Sequence, residues 1–166
     1  RIILRRRIGG ADGTSYRSML GGVLWQERDS STETAAGMKP VTTRHPSDEE
    51  YQDMVFANKI VKHSRSNAIV LAKGQQLCAS GIGQTSRIDA LHQAIDKARA
   101  FGFSLEGAVM ASDAFFPFAD SVTMAHEAGI SAVVQPGGSV RDQESIDYCN
   151  KTGVAMVFTG VRHFKH

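Results

Sequence analysis

Residues 108–120 read AVMASDAFFPFAD, a short apolar run that leads directly into three phenylalanines around a proline. The uncharged run 108–112, bounded by turn residues, predicts a buried strand. Pro117 has no amide hydrogen, so it cannot continue a central ladder. The aromatic residues therefore belong to a loop at the carboxyl end of a strand, which is where open α/β sheets bind ligands. A loop with this many aromatic side chains either packs into the hydrophobic core or forms a surface on which a flat ligand can bind.

The chain on both sides of this stretch alternates between strand and helix patterns. Ser47 and Glu50 form a capping box that predicts the start of a helix. Lys73-Gly74-Gln75 predicts the turn of a hairpin. The remaining predictions are strands at 68–72, 76–80, 108–112, 131–134 and 154–158, and helices at 86–101, 121–128 and 139–151. This alternation predicts an α/β fold whose mixed, mostly parallel sheet is covered by helices on both faces.

The N-terminal part has little apolar sequence of its own. Four arginines crowd residues 1–7, residues 16–26 are extended around Gly21-Gly22, and residues 29–46 are mostly polar. We therefore predict that residues 1–46 are an extended arm and loop docking on the body. Residues 47–166 are predicted to form one α/β domain.

Composition excludes several classes of protein. With 166 residues, 42% hydrophobic and 22% charged, the chain suits one globular domain. A net charge of +2 argues against a nucleic-acid or acidic-membrane partner, and no apolar run reaches the roughly 18 residues of a spanning helix. Cys78 and Cys149 lack any metal-binding spacing, which predicts a cytoplasmic protein without zinc.

Several loops are expected to meet at one edge of the sheet. The loops 81–87 and 135–139 follow strands and are rich in glycine, and Arg162 follows the last strand. Glycines let a backbone approach a ligand closely, and arginines bind phosphate or carboxylate. We therefore predict an anion clamp of Arg87 and Arg162 beside the aromatic loop, suited to a phosphorylated flat heterocycle and a second aromatic ligand. Taken alone, the loop 81–87 is better explained as a tight strand-to-helix turn, with Arg87 as a surface ion-pair partner.

No general base is evident from spacing. Lys62-His63 ends a predicted helix, where basic residues usually complement the helix dipole. His163 and His166 lie near the chain end outside any predicted helix, so a metal site made by their imidazoles is not expected. Asp113 is expected to make structural hydrogen bonds.

Five motifs together resemble one family: Ser66-Asn67, Gln84–Arg87, Ser112–Phe118, Pro136–Ser139 and Thr159–Phe164. The family is the bifunctional purine-biosynthesis enzyme AICAR transformylase/IMP cyclohydrolase, and the resemblance is to the C-terminal part of its transformylase region. It implies a cytidine-deaminase-like three-layer unit, the second of two in that region. It also implies a cytoplasmic enzyme that is a homodimer at full length.

The resemblance implies formyl transfer from 10-formyltetrahydrofolate to the 5-amino group of AICAR, with no nucleic-acid or membrane partner. By motif, the ribonucleotide contacts would be Asn67, Arg87, Phe115 and Arg162, with Asn67 also supporting catalysis. The folate contacts would be Ile88, Asp120, Ser139 and Val140. Some relatives hold potassium, for which the matching positions are Val61, Ser64, Ser66, Asp113 and His166.

The chain departs from the family at the catalytic Lys-His pair, which lies in a K-H-x-x-P-C-G motif. Lys62-His63 is followed instead by Ser64-Arg65, so no catalytic residue is expected here and the isolated chain is predicted to be inactive. A non-catalytic nucleotide- or folate-binding module is the alternative. A deaminase-like hydrolase is disfavoured because the H-x-E and P-C-x-x-C zinc ligands are absent.

Overall fold

The computed structural model describes residues 13–165, so the predictions for residues 1–12 and His166 lie outside the described residues. The chain divides into two units after Ser30. In the first unit, β1 (Thr14–Met19) and β2 (Gly22–Glu27) form an antiparallel hairpin in which Tyr16 pairs with Trp25. The extended segment predicted at residues 16–26 is thus two paired strands.

The described part of the second unit contains one six-stranded sheet. Its strands are β3 (Lys39–Pro40), β4 (Ile69–Lys73), β5 (Gln76–Gly81), β6 (Ala108–Ser112), β7 (Ile130–Gln135) and β8 (Ala155–Phe158). The order across the sheet is β3-β8-β7-β6-β4-β5. The five strands predicted from apolar runs all exist, and only the two-residue β3 was not predicted.

The described residues also form four α-helices: α1 (Asp48–His63), α2 (Arg87–Ala100), α3 (Asp120–Glu127) and α4 (Asp142–Thr152). One apolar cluster joins α1 to one face of the sheet, and a second joins the other three helices to the opposite face. The predicted α/β architecture with helices on both faces is therefore confirmed. None of the helices in residues 13–165 is long and apolar enough to cross a bilayer.

The sheet is less parallel than predicted. Of its five described ladders, β6-β7 and β7-β8 are parallel, whereas β3-β8, β4-β5 and β4-β6 are antiparallel. The difference arises because β4 lies between β5 and β6 and runs against both. Strands β5, β6, β7 and β8 nevertheless share one direction, so their carboxyl ends lie along the same edge.

The start of α1 follows local capping. The Ser47 hydroxyl accepts a hydrogen bond from the Glu50 amide at 3.2 Å, and the Glu50 carboxylate accepts one from the Ser47 amide at 2.9 Å, as the capping box predicts. The start predicted for α4 at Ser139 is wrong by three residues. The Asp142 carboxylate accepts from the amides of Gly138 and Ser139 at 2.7 and 3.1 Å, which closes a turn before the helix.

Part of the polar segment before α1 belongs to the sheet. Lys39 and Pro40 pair with Phe158 and Val157, and the hydroxyl of Thr42 accepts a hydrogen bond from the Met156 amide at 2.8 Å. Residues 31–46 therefore cluster with the second unit rather than with the hairpin. The domain boundary after Pro46 stays a prediction.

Candidate binding site at the carboxyl ends of the strands

The topology brings the predicted loops to one edge. Because β5, β6, β7 and β8 share a direction, the loops 82–86, 113–119, 136–141 and 159–165 all leave the sheet at the same side. β4 runs the other way, so Asn67 enters the sheet at this edge too. The prediction that these segments lie at one edge of the sheet is confirmed.

Arg162 is one of the cations that this edge presents to solvent, together with Arg141 and Lys165. Its exposed guanidinium lies over the Phe115 ring at 4.9 Å and over the Phe164 ring at 6.0 Å. A terminal nitrogen is 3.7 Å from where a side chain on Gly138 would begin. Within residues 13–165 no hydrogen bond or ion pair holds this guanidinium. A cation–π contact of this kind contributes about 0.5–1 kcal/mol.

Arg87 occupies a different position from Arg162, in the floor of the site. Its buried guanidinium forms an ion pair with Asp113 and donates to the Ser112 hydroxyl at 3.0 Å. It also donates to the Phe115 carbonyl at 3.2 Å and to the Asn67 side-chain oxygen at 2.9 Å. Arg87 therefore braces the end of β6 and the aromatic loop. The predicted pairing of Arg87 with Arg162 as an open anion clamp is not what the geometry shows, and a ligand contact of Arg87 stays a prediction.

Asn67 is held as firmly as Arg87. Its side-chain amide donates to the carbonyls of Gln84 and Thr85 at 3.0 and 3.3 Å, and its backbone exchanges two hydrogen bonds with Gln84. The peptide bond between Ser66 and Asn67 is cis. Asn67 thus fixes the loop after β5 against the start of β4.

Two glycines, the last residue of β5 and one in the turn that follows, lie where the strand meets α2. A side chain on Gly81 would begin 1.8 Å from the Ala90 carbonyl oxygen, so helix α2 lies directly against the strand end. The Gly83 amide donates to the Arg65 carbonyl at 2.8 Å. The Gly83 amide is therefore occupied within the protein and the loop is a tight strand-to-helix turn, while an anion contact at this loop stays a prediction.

The four predicted folate contacts lie on three elements at this edge. Ile88 is half-buried in the first turn of α2, and exposed Asp120 opens α3, where its carboxylate accepts from the Ser121 amide at 2.7 Å. Ser139 and fully exposed Val140 follow β7. Their roles stay predictions.

One of the predicted potassium positions, Asp113, carries a buried carboxylate. Asp113 is fully buried, and its Oδ2 atom has no hydrogen-bond partner among the described residues. The Ser64 hydroxyl donates to the Ile60 carbonyl at 2.9 Å, and the Ser66 hydroxyl accepts from the Lys165 amide at 3.0 Å. His166 lies outside the described residues, and in residues 13–165 no group of three or more His, Cys, Asp or Glu is arranged to hold a metal.

Sequence reasoning missed one buried polar group. The imidazole of His163, 1% exposed, lies 2.9 Å from the Glu33 carboxylate, which also accepts from the Asn58 amide at 2.8 Å. The His163 backbone amide donates to the Asp113 carbonyl at 2.9 Å. These contacts anchor the residue next to Arg162. No local pattern signals them, because Glu33 lies 130 residues away in a polar segment.

Comparisons with known proteins agree on one family. The family model described as "AICARFT/IMPCHase bienzyme" matches residues 1–97. The bifunctional purine biosynthesis protein PurH of Bacteroides thetaiotaomicron is 60% identical over all of this chain, which covers 33% of that relative. The PurH proteins of Persephonella marina and Aquifex aeolicus are 52% and 53% identical over 94% and 97% of the chain, with 30% and 31% of their own length covered. The chain thus spans about a third of the length of these curated relatives.

A solved structure shows a weaker likeness. A diaminohydroxyphosphoribosylaminopyrimidine deaminase/5-amino-6-(5-phosphoribosylamino)uracil reductase from Thermotoga maritima aligns with a TM-score of 0.46 at 20% identity. The alignment covers 64% of this chain and 34% of that one. Similarity at this level carries no conclusion about function.

The comparisons confirm the family and correct the finer prediction. Only about a third of each two-activity relative is matched, and for that share formyl transfer is not supported. The prediction that this chain belongs to the C-terminal transformylase region is therefore wrong. The same holds for the predicted transfer of a formyl group from 10-formyltetrahydrofolate to AICAR. The coarser statement holds: the chain is similar to a part of a bifunctional enzyme of purine biosynthesis.

Proposed function

Because the chain belongs to the AICARFT/IMPCHase bienzyme family, we propose that its candidate site binds a 5′-phosphorylated imidazole or purine ribonucleotide. Both activities in the family description concern ribonucleotides of this class, since AICAR and IMP differ in the base and share the ribose phosphate. The ligand class, rather than either activity, is proposed for this chain. Turnover belongs to the whole bifunctional enzyme.

The observation that carries the proposal is the position of Arg162. Its guanidinium is exposed, stacked on Phe115 and unpaired within the described residues, whereas Arg87 is buried and neutralised by Asp113. A planar guanidinium with unused donors suits a phosphate, because two parallel hydrogen bonds can form at once. Arg162 is therefore the residue proposed to bind the phosphate group.

The surroundings of Arg162 supply the rest of a nucleotide site. Gly138 has φ +97° and leaves open space beside the guanidinium, so a ligand can approach the backbone there. The half-buried Phe115 offers a ring edge and face for a flat base. Asn67 and Arg87 fix the loops behind the site, which keeps the two contact groups in place before a ligand arrives.

Three further statements from the resemblance are proposed with this function. The three-layer unit is cytidine-deaminase-like, which the antiparallel β4 beside the parallel β6, β7 and β8 supports. A potassium ion would be held by the orphaned Asp113 oxygen and neighbouring hydroxyl and carbonyl oxygens, where its charge would stabilise the buried carboxylate. The full-length enzyme works in the cytoplasm as a homodimer that binds small molecules.

Calorimetric titration tests the ligand class directly. IMP, AICAR, inosine and inorganic phosphate are titrated into the wild-type chain and into Arg162→Gln. We expect the two nucleotides to bind more tightly than inosine, and Arg162→Gln to weaken them about 10- to 100-fold, the usual value of a charge-assisted hydrogen bond. Inosine binding should hardly change. Equal binding of IMP and inosine to the wild type would refute the proposal.

A matched arginine provides the control. Arg141 also stacks on a phenylalanine, at 4.8 Å from the centre of the Phe118 ring, but it lies in the loop before α4. Arg141→Gln should leave nucleotide affinity within about twofold of the wild type. A loss as large as that of Arg162→Gln would show that general surface charge, rather than a defined phosphate contact, governs binding.

A further inference from the structure

The last two turns of α1 carry a second apolar stripe beside the one that faces the sheet. The inner stripe, which includes Met54, Ala57 and Val61, is fully buried. Phe56 and Ile60 are only half-buried, and they alternate with Lys59 and His63 in the order 56, 59, 60, 63. This spacing of three, four and seven residues places the four side chains on one helical face.

This stripe forms one wall of a groove. Ile82, 39% exposed in the turn after β5, and Arg65 also line this groove. The Gly83 amide donates to the Arg65 carbonyl at 2.8 Å, which fixes the turn against the end of α1. The groove has a volume of about 610 Å³. That volume falls within the range of about 300–1,000 Å³ typical of small-molecule sites.

The charge of the groove has one sign. Lys59, His63 and Arg65 are all exposed at its rim, and no acidic residue lines it in the described part of the chain. No hydrogen bond or ion pair within residues 13–165 engages the side chains of these three residues. Uncompensated basic groups around an apolar floor raise the local concentration of anions that also carry apolar surface.

We propose that this groove binds a small organic anion with a flat apolar ring. The ring would lie against Phe56, Ile60 and Ile82, and the carboxylate, phosphate or sulfonate would face Lys59 and Arg65. Burying the ring supplies affinity in proportion to the apolar area covered, and the basic rim selects against neutral analogues. The site is separate from the nucleotide site around Arg162, and neither requires the other.

Methyl-resolved NMR can test this site without an activity assay. The probe is naphthalene-2-carboxylate, with naphthalene-2-methanol as its uncharged counterpart, titrated into protein labelled at isoleucine methyl groups. The carboxylate should shift the Ile60 and Ile82 signals saturably and bind about fivefold or more tightly than the alcohol. Ile130, in the core on the opposite face of the sheet, should not shift. An excess of IMP should not displace the probe.

Charge variants complete the test. Arg65→Gln and Lys59→Gln should each weaken the carboxylate about two- to fivefold and leave the alcohol unchanged, since each removes one exposed cation. Lys151→Gln, at the exposed end of α4, should have no effect on either probe. Equal affinity for carboxylate and alcohol, or unshifted signals of Ile60 and Ile82 at saturation, would overturn the proposal. Displacement by IMP would overturn the separateness of the two sites.

Discussion

Among single Gly→Ala substitutions at the described glycines, Gly81→Ala should destabilise the fold most. The new Cβ would lie 1.8 Å from the Ala90 carbonyl oxygen, 2.6 Å from its carbonyl carbon and 2.9 Å from its Cα. Carbon and oxygen normally approach no closer than about 3.3 Å, so the helix and the strand must separate by about 1.5 Å. The obstacle is backbone, and no change of rotamer can remove it.

That separation has a definite cost. Helix α2 buries six residues against the sheet: Arg87, Ala90, Leu91, Ala94, Ile95 and Ala98. A radial gap of about 0.5–1 Å already forfeits a quarter to a half of the dispersion energy of each contact. Overpacking typically costs about 1–3 kcal/mol, and a clash this deep belongs at the upper end. Alanine also lowers the conformational entropy of the unfolded chain, which stabilises the folded state by about 0.4–1 kcal/mol. We therefore expect the free energy of unfolding to fall by about 2–3 kcal/mol.

Urea unfolding followed by circular dichroism measures this loss. Gly37→Ala is the matched control, because a side chain there meets no atom within 4 Å and no positive φ constrains the position. It should change the free energy of unfolding by less than about 1 kcal/mol in either direction. If the unfolding free energies of Gly81→Ala and Gly37→Ala differ by less than about 0.5 kcal/mol, the close packing of α2 on the strand end is refuted.

Four further predictions concern buried thiol and polar groups. Burial raises the pKa of the Cys149 thiol to about 12 and also raises that of Cys78, so both thiols should react with Ellman's reagent at pH 8 far more slowly in the folded than in the unfolded chain. The free energy of unfolding should also fall as the pH rises from about 9 towards 12, because the unfolded state releases the Cys149 proton first. Burial alone would raise the pKa of Glu50, but its hydrogen bonds, chiefly that from Arg44, lower this pKa overall. Glu50→Gln should therefore cost about 1–2 kcal/mol of unfolding free energy at pH 7. In urea titrations this cost should shrink as the pH falls below 4.5, because the native carboxylate then becomes protonated. His163→Phe removes one hydrogen-bond partner from the buried Glu33 carboxylate and should cost about 1–3 kcal/mol in thermal unfolding, with partial rescue in His163→Gln; an unchanged melting temperature would contradict the pairing.

The sequence predicted those parts of the fold that local chemistry determines. The capping box at Ser47, the turn at Gly74 and the run 108–112 each needed only neighbouring residues, and each prediction matches the structure. The position of β4 between β5 and β6 could not be predicted from neighbouring residues. The sequence of the β4-β5 hairpin does not determine which of its two strands pairs with β6 after the crossover through α2. The same holds for β3, whose two residues pair with β8 more than a hundred positions away.

The candidate site shows why residue type and position do not fix a role. Arg87 and Arg162 were predicted as equivalent halves of one clamp, since both follow strands that end at the same edge. What separates them is the partner that folding supplies: Asp113 neutralises Arg87 in the interior, while Phe115 offers Arg162 only an uncharged face. A ligand that displaced Arg87 from this ion pair would leave the buried Asp113 carboxylate unpaired, which costs several kcal/mol. The different roles of buried Arg87 and exposed Arg162 are therefore set by their partners. Those partners are brought together by long-range contacts that no sequence motif encodes.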